Sequence, residues 1–291
     1  MPHARQLRDA LAPGRCLRAP GVYDGLTALL AEQAGFELGF VSGACIAFAR
    51  HGRPDMGLVS MSEVADSVAL MRERVALPLI VDMDTGFGNA LNVQRTVRVF
   101  ERAGASALQM EDQVMPKRCG HMAGKQVISA SEMVGKIKAA LDARHDADTL
   151  IIARTDALGV TGFDDALERA EQYLQAGADA LFIEAPKSIE QMHEITRRFA
   201  GRIPLVHNLV EGGGSPVSDA TTLEQLGYRI VLYPAALLHL FVPQAQVLLA
   251  HIQQHGSTTG YAGLIDLNRI NTVLGAPELL ATAARYDSSI G

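Results

Sequence analysis

Between residues 116 and 125 the chain reads PKRCGHMAGK, which places Cys119 within two residues of Lys117, Arg118 and His121. Adjacent positive charge favours thiolate over thiol, so a cysteine in this setting can give or take a proton. Gly120 and Gly124 beside it allow the segment to change conformation when a ligand arrives, as a lid does. The plainer alternative is an inert cysteine on a basic surface loop. What decides between them is the chemistry that the rest of the chain presents to this stretch.

The strongest metal signal is VDMDTGFGN, residues 81 to 89. Asp82 and Asp84, two apart on a strand, point to the same side if the extension persists, and the glycines after them let the backbone turn tightly. Glu111 from the next strand adds a third hard oxygen donor, with no histidine or thiolate nearby in sequence. Such a set favours Mg2+ or Mn2+ over zinc.

These carboxylates belong to a longer series. Eight β-rich apolar runs lie at 18–24, 37–43, 78–84, 106–112, 149–155, 179–185, 203–209 and 228–234, and the first seven close on polar groups. The closing residues are Asp24, Ser42 with Gly43, Asp82 with Asp84, Glu111 with Asp112, Arg154 with Asp156, Glu184, and His207 with Asn208. Any one of them could equally cap the following helix. The whole set at one end of a sheet is more than capping requires. Cys45, inside the apolar SGACIAFA, reads as a small buried thiol, Cys16 has little around it, and the remaining histidines show no ligand spacing.

The elements that must position these groups follow from the alternation of the runs with amphipathic stretches at 25–35, 92–104, 129–145, 162–177 and 188–201, several of which stop at glycine. Apolar strands each followed by a helix imply a parallel sheet. Eight such units predict a (β/α)8 barrel, whose active site forms at the carboxyl ends of the strands. A doubly wound sheet is the runner-up, but no G-x-G-x-x-G follows the first strand. One domain is expected over 1–291. Its last stretch, about 235–291, supplies more helices than an eighth unit needs, and they must cover either the bottom of the barrel or a neighbouring subunit.

Composition narrows the partners. The 291 residues are 48% hydrophobic, enough for a full core, and the formal charge of -6 is interspersed rather than blocked. Neither a nucleic-acid footprint nor a polybasic membrane anchor is indicated, and the absence of Trp disfavours stacking platforms. Three cysteines without paired spacing argue for a reduced, cytoplasmic setting. No apolar run is expected to reach the ~18 residues of a membrane span. Small molecules are the expected ligands.

The motifs GVYDGLTALLAE, FVSGACIA, GRPDMG, VDMDTGFGN, EDQVMPKRCGH, ARTDA, FIEAP, NLVEGGGSP and LYP, spread from about Gly21 to about Leu240, resemble those of the isocitrate lyase and phosphoenolpyruvate mutase superfamily. The likeness is greatest to its methylisocitrate lyase and 2,3-dimethylmalate lyase branches, whose carbon–carbon lyases carry the K-[KR]-C-G-H signature. The resemblance implies a helix-swapped (β/α)8 barrel, commonly a tetramer, and a small carboxylate substrate. It implies that Ser42, Gly43 and Ala44 hold a substrate carboxylate and that Asp55 of GRPDMG orders the site. Asp84 would bind Mg2+ directly, Asp82 and Glu111 through water. Arg154, Glu184, Asn208 and Gly120 would contact substrate, and Cys119, supported by Lys117 and His121, would be the acid/base.

The implied reaction is Mg2+-dependent cleavage of a substituted 2-hydroxy di- or tricarboxylate to a 2-oxo acid and a carboxylic acid. The enolate that leaves is costly unless protonated, and Cys119 as a thiol would protonate it. Phe40 stands where isocitrate-type lyases often place Tyr, which leaves the base for the substrate hydroxyl unassigned. NLVEGGGSP is closer to the dimethylmalate lyase branch, and Pro234 is more lyase-like than hydrolase-like. A phosphonate mutase, an oxaloacetate decarboxylase or hydrolase, and a non-catalytic binding protein are the rival readings.

Overall fold

The computed structural model describes residues 2–11, 14–120, 122 and 124–286. Contacts divide the chain into two compact units, Met1–His239 and Leu240–Gly291. The first begins with helix α1 (His3–Ala10). It then alternates β1 (Leu17–Val22), α2 (Gly25–Gln33), β2 (Gly39–Val41), α3 (Gly43–Ile46), α4 (Met61–Arg74), β3 (Leu79–Asp82), α5 (Ala90–Ala103), β4 (Ala107–Glu111) and α6 (Ala130–Ala143). The second half of this unit continues with β5 (Leu150–Thr155), α7 (Phe163–Gln175), β6 (Ala180–Ile183), α8 (Ile189–Phe199), β7 (Leu205–Asn208), α9 (Ala220–Leu226) and β8 (Ile230–Tyr233). Helix α10 (Ala236–His255) runs into the second unit, which also holds α11 (Leu267–Val273) and α12 (Ala276–Ala284).

The strands pair in sequence order, all parallel, and β1 closes on β8. The expected (β/α)8 barrel is the observed fold. Every predicted strand is present, though shorter than its apolar run, because pairing stops where the chain turns outward into the following loop. Several helices start where side chains satisfy their free N–H groups. Asp24 and Thr27 form a capping box on α2, Ser60 and Glu63 another on α4, and Asn89 caps α5. Gly104 and Gly227 end α5 and α9 in the left-handed region, at φ 103° and 107°.

Two apolar layers result from the period of two along each strand. Outward-facing residues such as Val41, Val81, Leu108 and Ile151 pack against the helices, while Phe40, Ile80, Ile152, Phe182, Val206 and Leu232 fill the barrel interior. The interior cluster also includes Leu7 of α1, 1% exposed, beside Leu17 and Leu38. The floor of the barrel is thus closed by an N-terminal helix. Arg8, one residue on, reaches Asp179 at 3.0 Å.

Helix α10 corrects another expectation. It continues through Pro243 for 20 residues, and an 18-residue window has mean hydropathy 1.2, so by length and composition it is apolar enough to cross a membrane. Its polar positions are His and Gln rather than charged residues, which keeps the average high. Leu240, Phe241, Val247 and Leu249 are exposed, as are Leu279 and Leu280 of α12.

Candidate active site

The interior residues place the polar ones. Two positions beyond Phe40, Ile80, Ile152, Phe182 and Val206, on the same face of each strand, stand Ser42, Asp82, Arg154, Glu184 and Asn208. Glu111 likewise follows Gln109, which is a polar exception in the interior layer. All of these are buried, and all line one cavity of about 110 Å³ at the carboxyl ends of the strands. Lys117, Cys119 and Gly120 reach the same cavity from the loop after β4, and Ala44 and Asp55 complete its wall.

That loop is held in place at its stem. Gln113 and Val127 form an antiparallel bridge, and the Val114 amide donates to Gln126 O at 2.8 Å. The Gln113 side chain clamps Arg118, accepting from its N–H at 3.0 Å and donating to its carbonyl at 2.8 Å. Lys117 consequently points inward, where its Nζ lies 2.8 Å from Asp55 and 2.9 Å from Asp84. The Cys119 amide donates to the Asp55 carbonyl at 3.2 Å. Gly120 lies against Arg154: a Cβ there would come within 2.2 Å of Nη2.

Arg154 is the hub of the opposite wall. Its Nε and Nη2 donate to Asp156 at 2.9 and 3.1 Å, Nη2 meets Glu184 at 3.0 Å, and Nε stands 3.4 Å from Glu111. The guanidinium stacks 5.1 Å over the Phe182 ring. Asn208 Nδ2 donates to Glu184 at 3.1 Å. Burial alone would raise the Asp156 carboxyl, but Arg154 and Lys125 outweigh it and bring the group down to about 2. At Asp84 burial prevails, reinforced by Asp82 and Asp55 and only partly offset by Lys117, so its carboxyl is pushed up to about 7. Burial likewise holds Glu111 well above the usual carboxylate range.

Of the described candidates, all but Gly43 and Asp84 line this cavity, and Asp84 meets it through Lys117, whose Nζ lies 2.9 Å away. Asp82 and Asp84 do not share a strand face. β3 ends at Asp82, and Asp84 has a left-handed φ of 48°, with its amide donating to Asp82 Oδ1 at 3.0 Å. The expected extension fails because the turn begins one residue early. Gly43 is the residue that fits against these acids, since a Cβ there would lie 3.1 Å from Asp82 Oδ2. Ser42 Oγ accepts from the Cys45 amide at 3.3 Å, capping α3, while the residue still borders the cavity.

Two strand-end acids are structural. Asp24 caps α2, and Asp112 lies behind the wall, accepting from Thr155, Tyr173, Arg169 and the Asp156 amide. His121 lies outside the described residues. Cys16 and Cys45 are buried, each thiol pushed up to about 12, first by burial. The sequence reading missed Phe48, Val210, Ala235 and His239 on the cavity wall. Phe48, Val210 and Ala235 carry no chemical signal. His239 is a lone histidine in a helix, and only tertiary structure sets it 2.9 Å from Glu211.

Among the described residues no three His, Cys, Asp or Glu side chains are grouped so as to hold an ion, and the Lys117 ammonium stands between Asp55 and Asp84. The donors nonetheless fit a hard divalent cation. Six carboxyl groups, of Asp55, Asp82, Asp84, Glu111, Asp156 and Glu184, are buried here against the cationic Lys117, Lys125 and Arg154. Glu111 Oε1 is buried without a hydrogen-bond partner. An excess of buried acid with an orphaned oxygen is costly unless a cation joins it.

Residues 7–253 match the family described as phosphoenolpyruvate phosphomutase. The chain is 39% identical to the 2,3-dimethylmalate lyase of Eubacterium barkeri, over 97% of this chain and 98% of that one. It is 46% identical to the 2-methylisocitrate lyase of Aeropyrum pernix, over 86% and 80%. Among solved structures, that of a 2,3-dimethylmalate lyase, a PEP mutase/isocitrate lyase superfamily member, superposes with a TM-score of 0.93 at 33% identity, covering 98% of this chain and 96% of its own. Phosphonopyruvate hydrolase in complex with oxalate and Mg2+ superposes with 0.88 at 34% identity, covering 98% and 99%.

Proposed function

The chain belongs to the PEP mutase/isocitrate lyase superfamily and is a carbon–carbon lyase within it, and we propose that it cleaves a small substituted 2-hydroxy di- or tricarboxylate, of the 2-methylisocitrate or 2,3-dimethylmalate type, to a 2-oxo acid such as pyruvate and a carboxylic acid. One observation carries this reading: Cys119 opens onto the same cavity as Asp82, Glu111 and Arg154. A thiol that faces the substrate across an acid-rich cradle suits protonation of a departing carbanion.

Asp84, Asp82 and Glu111 would hold Mg2+, or Mn2+ in its place. The bound ion would polarise the substrate hydroxyl and the carbonyl that forms from it. Arg154 and Asn208 orient substrate oxygens, with Glu184 fixing both. Ser42 with the Gly43–Ala44 backbone holds the second carboxylate at the end of β2. Lys117 ties Asp55 to Asp84 and brings the cysteine loop against the acids. Cys119 gives its proton to the enolate carbon and takes it back in the reverse direction. Apolar Phe40, Phe48, Val210 and Pro234 line the space for alkyl substituents.

The test is a panel of 2-methylisocitrate, isocitrate, 2,3-dimethylmalate, oxaloacetate and phosphonopyruvate, assayed for 2-oxo acid release with Mg2+ and with EDTA. Turnover of a malate derivative that EDTA abolishes, and that Cys119→Ala abolishes too, is expected. Turnover of phosphonopyruvate alone, indifferent to Cys119→Ala, would replace the lyase reading by a mutase or hydrolase one.

The oligomeric reading belongs to the same proposal: 235–291 cover a neighbouring copy in a homo-oligomer, by resemblance a helix-swapped tetramer. Exposed Leu240, Phe241, Leu249, Leu279 and Leu280 support it. Light scattering that gives a monomer mass would refute it. Buried thiols at Cys16 and Cys45 accord with a reducing, cytoplasmic location.

A further inference from the structure

The wall behind Arg154 contains a cation that the proposed chemistry does not use. Lys125 lies on the loop five residues beyond Gly120, its side chain 7% exposed. Its Nζ donates to the Gly120 carbonyl and, at 2.7 Å, to Asp156 Oδ1. The same Oδ1 accepts from Arg154 Nη2 at 3.1 Å, and Oδ2 from Arg154 Nε at 2.9 Å. Asp156 is itself fixed from the far side, since its amide donates to Asp112 at 2.9 Å and Asp112 is anchored by Thr155, Tyr173 and Arg169.

We propose that Lys125 is a positioning residue of this site, whose single ammonium fastens the Cys119–Gly120 segment to Asp156 and thereby sets Arg154 toward the cavity. Two consequences of the geometry support the assignment. Arg154 alone faces three carboxylates, those of Asp156, Glu184 and Glu111. With Lys125 neutralising Asp156, Nη2 remains shared with Glu184 at the cavity wall. Without it the full Asp156 charge draws the guanidinium back, and the part-buried carbonyl of Gly120 loses its donor. The second consequence is mechanical. The carbonyl that Lys125 holds is adjacent to Cys119, so the acid and the substrate-facing cation are placed by one contact, as preorganisation requires.

This inference rests on the lyase reading for the roles of Cys119 and Arg154, but its structural part can be read without turnover. Cys16 and Cys45 are buried, so alkylation of the native, full-length protein by iodoacetamide reports on Cys119. In ligand-free Lys125→Met, Cys119 is expected to react roughly tenfold faster than in the wild type, the factor that goes with losing one charge-assisted hydrogen bond. On whichever substrate the wild type turns over, kcat should fall about 10²-fold. Lys125→Arg should restore most of both readouts, and with them any loss of melting temperature.

Unchanged alkylation together with kcat within about threefold of wild type would overturn the proposal. So would a large fall in melting temperature that Lys125→Arg does not repair, which would make Lys125 a purely structural residue. If the wild type turns over nothing on the panel, the lyase reading fails by itself and the alkylation rates alone decide the role of Lys125.

Discussion

Gly120→Ala is the sharpest perturbation of this site. The Gly120 backbone is outside the left-handed region, so alanine adds no backbone strain, and the only new feature is one methyl group. That methyl would stand 2.2 Å from Arg154 Nη2 and 2.9 Å from Glu184 Oε2, where ordinary contact begins at 3.4 Å. Arg154 has no room to retreat, because two bonds to Asp156, one to Glu184 and the Phe182 ring hold it. The loop must therefore move outward by about an ångström, carrying Cys119 with it. A misplacement of about 1 Å costs on the order of 10²-fold in rate, which corresponds to about 2.7 kcal/mol of transition-state stabilisation. The assay is kcat/KM on the best substrate of the panel, with thermal unfolding alongside to show that the fold is intact. A variant that retains kcat/KM within about threefold of wild type would refute the reasoning, since Gly120 could not then meet Arg154 during the cycle.

Four further outcomes are expected. As the proposed direct ligand of a divalent ion, Asp84 would bind it as carboxylate, and its carboxyl is raised to about 7, so Mg2+ affinity measured by calorimetry should weaken from about pH 8 to about pH 5.5. In the metal-free protein the sign is opposite: a raised carboxyl contributes stability below its unfolded value that is lost as pH rises through about 7, and Asp84→Asn should flatten both trends. Asp112→Ala removes the buried acceptor of Thr155, Tyr173 and Arg169 and should cost about 3–5 kcal/mol in urea unfolding. An unchanged urea midpoint would show the network to be dispensable. Gly135→Ala, at an exposed position inside α6 with nothing within 4 Å of the new Cβ, should stabilise by about 0.5–1 kcal/mol. A lower melting temperature would mean that the position is covered by something else.

The barrel was legible because its cause is periodic. Eight apolar runs separated by amphipathic segments leave few alternatives to a parallel closed sheet, and pairing β1 to β8 only completes that pattern. Most of the candidate site was legible for a related reason. Phe40, Ile152, Phe182 and Val206 mark the inward face of each strand, and the polar residue two positions on inherits that direction. Where the inference failed, a backbone choice intervened. Asp84 shares the face of Asp82 only if the strand stays extended, but the chain enters a left-handed conformation at Asp84, and its carboxylate meets Lys117.

By itself, then, the amino-acid sequence determined which groups gather at the mouth of this barrel, since strand periodicity and the closing residues are local properties. Tertiary structure alone decided how those groups are paired. Lys117 with Asp55 and Asp84, Lys125 with Asp156, and His239 with Glu211 join segments that are 62, 33, 31 and 28 residues apart. Coulombic and hydrogen-bond partners are chosen by distance in space and by burial, and neither is written in the spacing of residues along a chain.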